Sequence, residues 1–347
     1  MANLTYQPFA NIDLKDHFFD SLRDDYLGFD DWFLRKAAAK EHVYTYYING
    51  KLNSFLYLKV EDDIDTSIIP MMIKKARLKV GTFKIDAHGT KLGERFIKKI
   101  FDTAAEYNID EIYVTIFPKH EGLIQLLLAY GFFLYGKKSN ENVYVKHFNN
   151  IQQNIFLDYP MTKFNNVNKF VLSIYPEYHS RLFPDSILNN ESYNLIQDVS
   201  STNSIHKIYI CGMQDVLSFQ RGDLVLIYRT KDEHGPAKYR SVITSVCTVI
   251  EVLDMRQFTS EVDYLKYCEP YSVFTRTELK GFYSSGRYPY IIKMVYNIAF
   301  KKRVINNYLV NNLYINPSYW GVFQVDDQQF IDICKAGQVN QKLFYKK

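Results

Sequence analysis

Residues 77–93, RLKVGTFKIDAHGTKLG, decide how the first half of this chain is read. They predict an extended strand, a short polar turn, and an amphipathic helix beginning near Lys91. A helix start leaves its first amide N–H groups without intrahelical partners and carries partial positive charge, so this order makes an anion site. Gly89 and Gly93 lack a Cβ and admit a ligand close to the backbone. In the helix, Leu92, Phe96, Ile97, Ile100, Phe101 and Ala104 recur at helical spacing, while Glu94, Arg95, Lys98, Lys99 and Asp102 fall mostly on the other, water-facing side.

Downstream, 110–117 (DEIYVTIF) is a β-rich run stopped by Pro118, and 121–130 is a mostly apolar helical run closed by Gly131 and Phe132. A strand pair, 132–136 and 142–147, follows. Upstream, 13–26 and 30–40 read as helices punctuated by Gly28. Strands at 42–48 and 52–60 are joined by Asn49-Gly50, the strongest hairpin signal in the chain.

Strand, phosphate turn, helix, strand, helix, Gly-Phe and strand pair is an order that resembles the GNAT superfamily of acetyl-CoA-dependent N-acetyltransferases, over about 18–148. The family's turn carries Gln or Arg, two residues, Gly, one residue, then Gly or Ala. His88, Gly89, Thr90, Lys91, Leu92 and Gly93 occupy those positions here, so His88 stands first and Lys91 replaces the middle glycine. The resemblance implies that these six residues hold acetyl-CoA, with Lys91 adding a point charge at the phosphates.

It also implies direct attack of an amine on the thioester, for which the protein orients the reactants and moves protons. The family's thiolate acid is a Tyr four residues before the Gly of the Gly-Phe pair. Leu127 stands there, and Tyr130 is the nearest alternative, although helix geometry turns it well away from position 127. His120 and Glu121, just after Pro118, are candidate acceptor-side bases, with Glu121 also suited to the helix start. In a GNAT-like fold the two N-terminal helices and the first hairpin would wall the acceptor site, lined by Tyr44, Tyr46, Tyr47 and Tyr57 or simply packed by them.

From 149 to 204 the composition shifts towards Asn, with Pro160, Pro176 and Pro184, and this stretch reads as a connecting region. It holds a strand-like run at 169–175 and a polar trio, His179, Arg181 and Asp185. Beyond it, 207–211, 224–229, 240–252, 290–300 and 321–325 read as strands and 327–335 as a closing helix. A small β-barrel is the natural package for 205–347. The run 219–229, FQRGDLVLIYR, and the long strand after it resemble PUA-like barrels, a group including ASCH and EVE modules associated with RNA or modified nucleotides. Arg229, Lys238, Tyr239, Arg240 and Arg287 are the residues expected to contact phosphates and stack on bases.

Composition narrows the function classes. The chain has 347 residues, 47% of them hydrophobic, which argues against disorder, and a net charge of only +4, which permits a local nucleic-acid patch without arguing for one. Four cysteines, widely spaced and without a CxxC, point to buried reduced thiols rather than zinc or a disulfide framework. No metal-ligand cluster, P-loop or Ser/His/Asp order is visible, and no run is long enough to span a bilayer, so a cytoplasmic protein is expected.

The expected fold class is thus α/β, a GNAT-like mixed sheet with flanking helices at 1–148, a connecting region at 149–204, and a PUA-like β-barrel at 205–347. The expected function is acetyl transfer from acetyl-CoA to an amine, with the barrel recognising the acceptor or RNA. The rival expectation is a nucleic-acid-binding protein whose GNAT-like domain is not catalytic.

Overall fold

The computed structural model describes residues 4–86, 91–186 and 204–346, and these divide into two compact units, Met1–Asn150 and Ile151–Lys347. The first unit runs β1 (Leu4–Pro8), α1 (Asp20–Asp25), α2 (Phe29–Ala38), β2 (His42–Ile48), β3 (Lys51–Glu61), β4 (Arg77–Ile85), α3 (Leu92–Glu106), β5 (Glu111–Ile116), α4 (Glu121–Ala129), β6 (Phe133–Lys138) and β7 (Glu141–His147). Its seven strands lie in the order β1-β2-β3-β4-β5-β7-β6. All neighbours are antiparallel except β4 and β5.

The β2–β3 hairpin turns through Asn49 and Gly50 at φ 50° and 77°, the left-handed pair that matches strand twist. The first expected helix, 13–26, is shorter than its pattern: a 3-10 turn at His17–Phe19 leads into α1. Asp16 accepts from the Phe18 N–H and caps that turn. Phe9, Phe19, Phe33 and Phe55 then pack edge-on against one another.

Helix α3 corrects the expectation of one wet face. Arg95 and Lys98 are 6% and 3% exposed, the first with its guanidinium 5.2 Å from the Tyr46 ring, the second donating to Asp102 at 2.6 Å. Long stems let a cationic residue pack while its head keeps a partner, so a charged helical face is not always a solvated one.

At the far edge of the sheet, the β3–β4 connection folds back onto β6. The Ile69 N–H donates to the Lys137 carbonyl at 2.8 Å and the Lys137 N–H to the Ile69 carbonyl at 2.9 Å. Gly136 permits this, since a Cβ there would collide with the Ile69 carbonyl.

The second unit contains β8 (Thr162–Lys163), β9 (Lys169–Ile174), α5 (Pro176–Leu182), β10 (His206–Cys211), β11 (Leu224–Arg229), α6 (Ala237–Arg240), β12 (Val242–Asp254), α7 (Glu261–Cys268), α8 (Arg276–Ser285), β13 (Tyr290–Ile305), α9 (Asn306–Asn312), β14 (Val322–Val325), α10 (Asp327–Ala336) and β15 (Phe344–Tyr345). Six strands form one sheet in the order β10-β13-β12-β11-β9-β14, and β8 pairs with β15. Inward side chains of all six enter one core, and Phe219, soon after β10, sits 4.5 Å ring to ring from Phe170 on β9. This is barrel-type packing around a single interior, with α7 and α8 on a second apolar cluster beside β10 and β13.

Residues 169–174, read as part of a connecting region, are β9, the parallel partner of β11. The turn at Gly222, φ 95°, is held by Asp223, whose carboxylate accepts from the N–H groups of Asn168 and Gln220, both at 2.8 Å. All four cysteines are free and buried. No helix among the described residues is long and apolar enough to cross a membrane.

Of the polar trio, His179 and Arg181 find separate partners, and the Asp185 side chain lies outside the described ones. His179 is buried with Nε2 2.8 Å from the Thr244 hydroxyl, whereas Arg181 donates to the Val273 carbonyl. Burial, with Arg229 and Arg303 nearby, pushes the His179 imidazole well below its ordinary value. Below about pH 6.5 the unfolded chain therefore binds a proton here that the folded chain does not. Stability falls as pH falls, by about 1.4 kcal/mol per pH unit from this group, until the depressed folded value is reached. His179→Gln should flatten the decline of the urea midpoint between pH 7 and 5; parallel slopes for variant and wild type would exclude His179 as its source.

Candidate functional site

Strands β4 and β5 pair over only three residues, Leu78 with Ile112, Lys79 with Tyr113 and Val80 with Val114, and then part. The register shift that puts Tyr57 against Thr82 and Leu58 against Val80 makes Gly81 a bulge, and bulges bend their strand. Only glycine fits there, because a Cβ would lie 2.7 Å from the Tyr57 ring. Past Gly81, β4 still pairs with β3, and among the described residues no strand pairs with its other edge, which faces the opening.

That opening is a cleft of about 840 Å³, lined by β4, the end of β5, the start of α4, Gly93 of α3 and the α1–α2 corner. Its size is that of a small-molecule site. Helix α3 begins after Lys91, which sits at the N-cap with Nζ 3.9 Å from Glu94. Gly93 touches the cleft, and a Cβ there would meet the Leu126 side chain at 2.8 Å, so this glycine also sets how closely α3 and α4 pack. His88, Gly89 and Thr90 of the expected turn lie outside the described residues; Lys91, Leu92 and Gly93 open α3, with Leu92 buried.

On the other wall, Pro118 ends β5 and His120 N-caps α4 through its backbone, its carbonyl accepting from Ile124 at 3.1 Å. Its side chain makes no capping bond and lies with Nε2 3.3 Å from Asp25 Oδ2. The Asp25 carboxylate, only 9% exposed, also pairs with Lys119. Gly28, at φ 82°, turns the chain from α1 into α2 and sets Asp25 and Tyr26 on the cleft. Tyr26 fixes that corner by donating to Glu141 at 2.7 Å and packing on Phe117. Glu121 lines the cleft at the first turn of α4, where its charge complements the helix dipole.

The structure brings His120, Glu121 and Gly93 to one cleft, but not Tyr130, which caps the C-terminus of α4 and is 4% exposed in the core. Tyr44, Tyr46, Tyr47 and Tyr57 do not line it either; Tyr46 and Tyr57 are buried, and Tyr57 donates to Glu41. Tyr26 lines the cleft, but burial and its bond to Glu141 push its phenol up, making it a weak acid. Asp25, Trp32 and Arg35 are not site residues in the sequence reading; the Tyr-Leu-Gly punctuation between α1 and α2 was the available signal.

In the second unit the five expected nucleic-acid residues separate. Arg229 is 1% exposed at the end of β11, beside the carbonyls of Thr230 and Arg240. Arg240 grips Asp232, with Nε at 2.8 Å, and holds that carboxyl well below its usual range. Lys238 and Tyr239 are exposed on α6, Nζ 4.8 Å from the ring. Arg287 is exposed over Tyr288, next to the start of β13, whereas α6 adjoins its end, 16 residues and roughly 50 Å along the strand. One patch does not contain all five, and Arg229 is not available to a phosphate.

No family model and no curated protein matches the chain. Solved structures similar to it include both kinds of domain. An ASCH protein from Zymomonas mobilis is 7% identical, covering 48% of this chain and 94% of its own, at a TM-score of 0.32. The N-acetyltransferase PseH of Campylobacter jejuni, in complex with acetyl coenzyme A, is 9% identical over 42% and 99% at 0.28. Naa50 of Arabidopsis thaliana, in complex with the bisubstrate analogue CoA-Ac-MVNAL, is 16% identical over 41% and 97% at 0.29. Likenesses this distant define no activity.

Proposed function

We propose that the first unit is an acetyl-CoA-dependent N-acetyltransferase acting on an amine, and that the second unit recognises the acceptor. The observation that carries this reading is the cleft between the parted strands β4 and β5, with an amide-rich helix start at one wall and a histidine–carboxylate pair at the other. A domain retained only as a scaffold has no need of such an opening; packed side chains would stabilise it more.

The chemistry divides among the chain's own residues. The first amides of α3 and Lys91 take the pyrophosphate charge, and the free edge of β4 bonds the amide groups of an extended ligand arm, which Gly81 allows to lie close. Bound acetyl-CoA supplies the activated acyl group. His120 accepts the proton that the attacking amine gives up. Asp25 holds the imidazole through Nε2, which leaves Nδ1 as the accepting nitrogen and stabilises the cation that forms.

Acetyl-CoA at a hundred times its Kd should stabilise the folded chain by about 2.7 kcal/mol, read as a rise in Tm. Lys91→Glu, which places a carboxylate at the anion end, should remove most of that rise. It is a cleaner probe than Gly93→Asp, whose Cβ would also press on Leu126. A wild-type Tm indifferent to acetyl-CoA defeats the reading of the cleft; an undiminished rise in the variant defeats only the role of Lys91.

A further inference from the structure

The charges that line the cleft divide into those answered inside the chain and those that are not. Asp25 holds Lys119 and His120, and Lys84 donates to Ser21 and pairs with Asp86 at 3.4 Å. Two side chains of opposite sign line the cleft without an ion pair or side-chain hydrogen bond among the described residues: Glu121, at the start of α4 beside His120, and Arg35, on α2.

Arg35 belongs to a stripe. Gly28, Phe29, Trp32 and Arg35 recur at helical spacing and all line the cleft, so one face of α2 is turned to it. The stripe begins at the corner that carries Asp25 and reaches Arg35 two turns, roughly 10 Å, along the axis. On the way the Trp32 ring is fixed edge-on to Phe9 at 5.7 Å and Tyr57 at 5.8 Å and keeps a partly exposed surface on the cleft. Leu27, at the corner, lines the cleft and is wholly exposed. From His120 outward the wall therefore presents carboxylates with a base, an apolar strip and a cation.

We infer that the acceptor amine carries its own carboxylate, set about two helical turns, ~10 Å, from the reacting nitrogen, and that Arg35 selects for it. The inference rests on the acetyltransferase reading of the first unit and concerns the part of the acceptor inside the cleft. Such an amine arrives as an ammonium, which Glu121 meets beside His120; its apolar chain lies on Trp32 and Leu27, and its carboxylate takes the planar fork of Arg35 in two parallel hydrogen bonds. One proton leaves the ammonium before attack, the nitrogen–carbonyl bond forms as the carbon–sulfur bond breaks, CoA departs as its thiolate, and His120 takes the second proton. A phosphate dianion matches less well, because Lys84 and Lys119, the lysines lining the cleft, are already engaged.

The test compares 8-aminooctanoate, octylamine and 1,8-diaminooctane as acceptors for the full chain with acetyl-CoA, followed by thiol release. The wild type should prefer the carboxylated amine to octylamine roughly tenfold in kcat/KM, mostly through KM, the usual worth of hydrogen bonds to a charged group. Arg35→Ala should bring that ratio close to one, and Arg35→Glu should turn it in favour of the diamine. Arg35 is exposed, so both variants keep the core. Leu-Glu-Gly amide against Leu-Gln-Gly amide, each with a free amino terminus, identifies the source of the carboxylate. A preference there that Arg35→Ala removes assigns it to a peptide's acidic residue; a preference confined to 8-aminooctanoate assigns it to a small amino acid. Equal rates for all these amines, a preference that persists in Arg35→Ala, or no acetylation of any of them by a chain whose Tm acetyl-CoA raises overturns the inference and leaves the cofactor site standing. A Tm indifferent to acetyl-CoA overturns both.

Discussion

His120→Ala is expected to lower kcat/KM for acetyl transfer by about 10² to 10⁴-fold, the usual worth of a positioned general base. The acetyl-CoA-induced rise in Tm should survive, because His120 stands at the start of α4 and not at the start of α3 that faces the anion. Its ring is 44% exposed, so added imidazole can reach the vacated place and should restore part of the rate. Asp25→Asn should reduce activity less, since it leaves the base and removes only the group that orients it. Full activity in His120→Ala, or a loss that follows acetyl-CoA binding rather than turnover, would remove His120 from the chemistry.

The second large effect is on stability. Glu111 opens β5 and Arg77 opens β4; their side chains are 5% and 6% exposed and form an ion pair, joined by Lys75 at 2.9 Å and His147 at 3.2 Å. Burial alone would raise the Glu111 carboxyl, but hydrogen bonds from Lys75 and Arg77 hold it below its ordinary value. With only three residues of ladder between β4 and β5, this cluster is the clasp at the base of the cleft. Glu111→Ala leaves a buried guanidinium unpaired and should cost about 3–5 kcal/mol, a fall in Tm on the order of 10 °C. The paired change Glu111→Leu with Arg77→Met should cost less than Glu111→Ala alone. If the single variant melts with the wild type, the cluster does not hold the strands together.

Much of the first unit was legible because its signals are local. Asn49-Gly50 dictates its own turn, Pro118 ends its own strand, and the apolar spacing of Leu92, Phe96, Ile100 and Phe101 describes one helix. Thr275 and Glu278 form a capping box at α8, and Asp326 and Gln329 another at α10; the second helix was read and the first was not, although the signal was equally present. What escaped depends on distance along the chain. Asp25 becomes a partner of His120 only when the α1–α2 corner meets α4, and no spacing rule joins positions so far apart. Likewise β9 looked like part of a connector because its partner β11 lies beyond it across a long excursion. Arg229 carried a surface residue's composition and a core residue's place, since the strand that ends in it is buried throughout.

The clasp of Ile69 on Lys137 has a meaning for how this protein behaves in a crowd. An uncovered edge strand is a template on which a neighbour's chain can continue the sheet, and β6 would be such a template. The protein has seated a piece of itself in that place, and Gly136 is the clearance that lets it sit. A side chain at 136 therefore does its harm between molecules: it lifts the cover from an edge and exposes the chain to aggregation, even where the distant cleft keeps its shape.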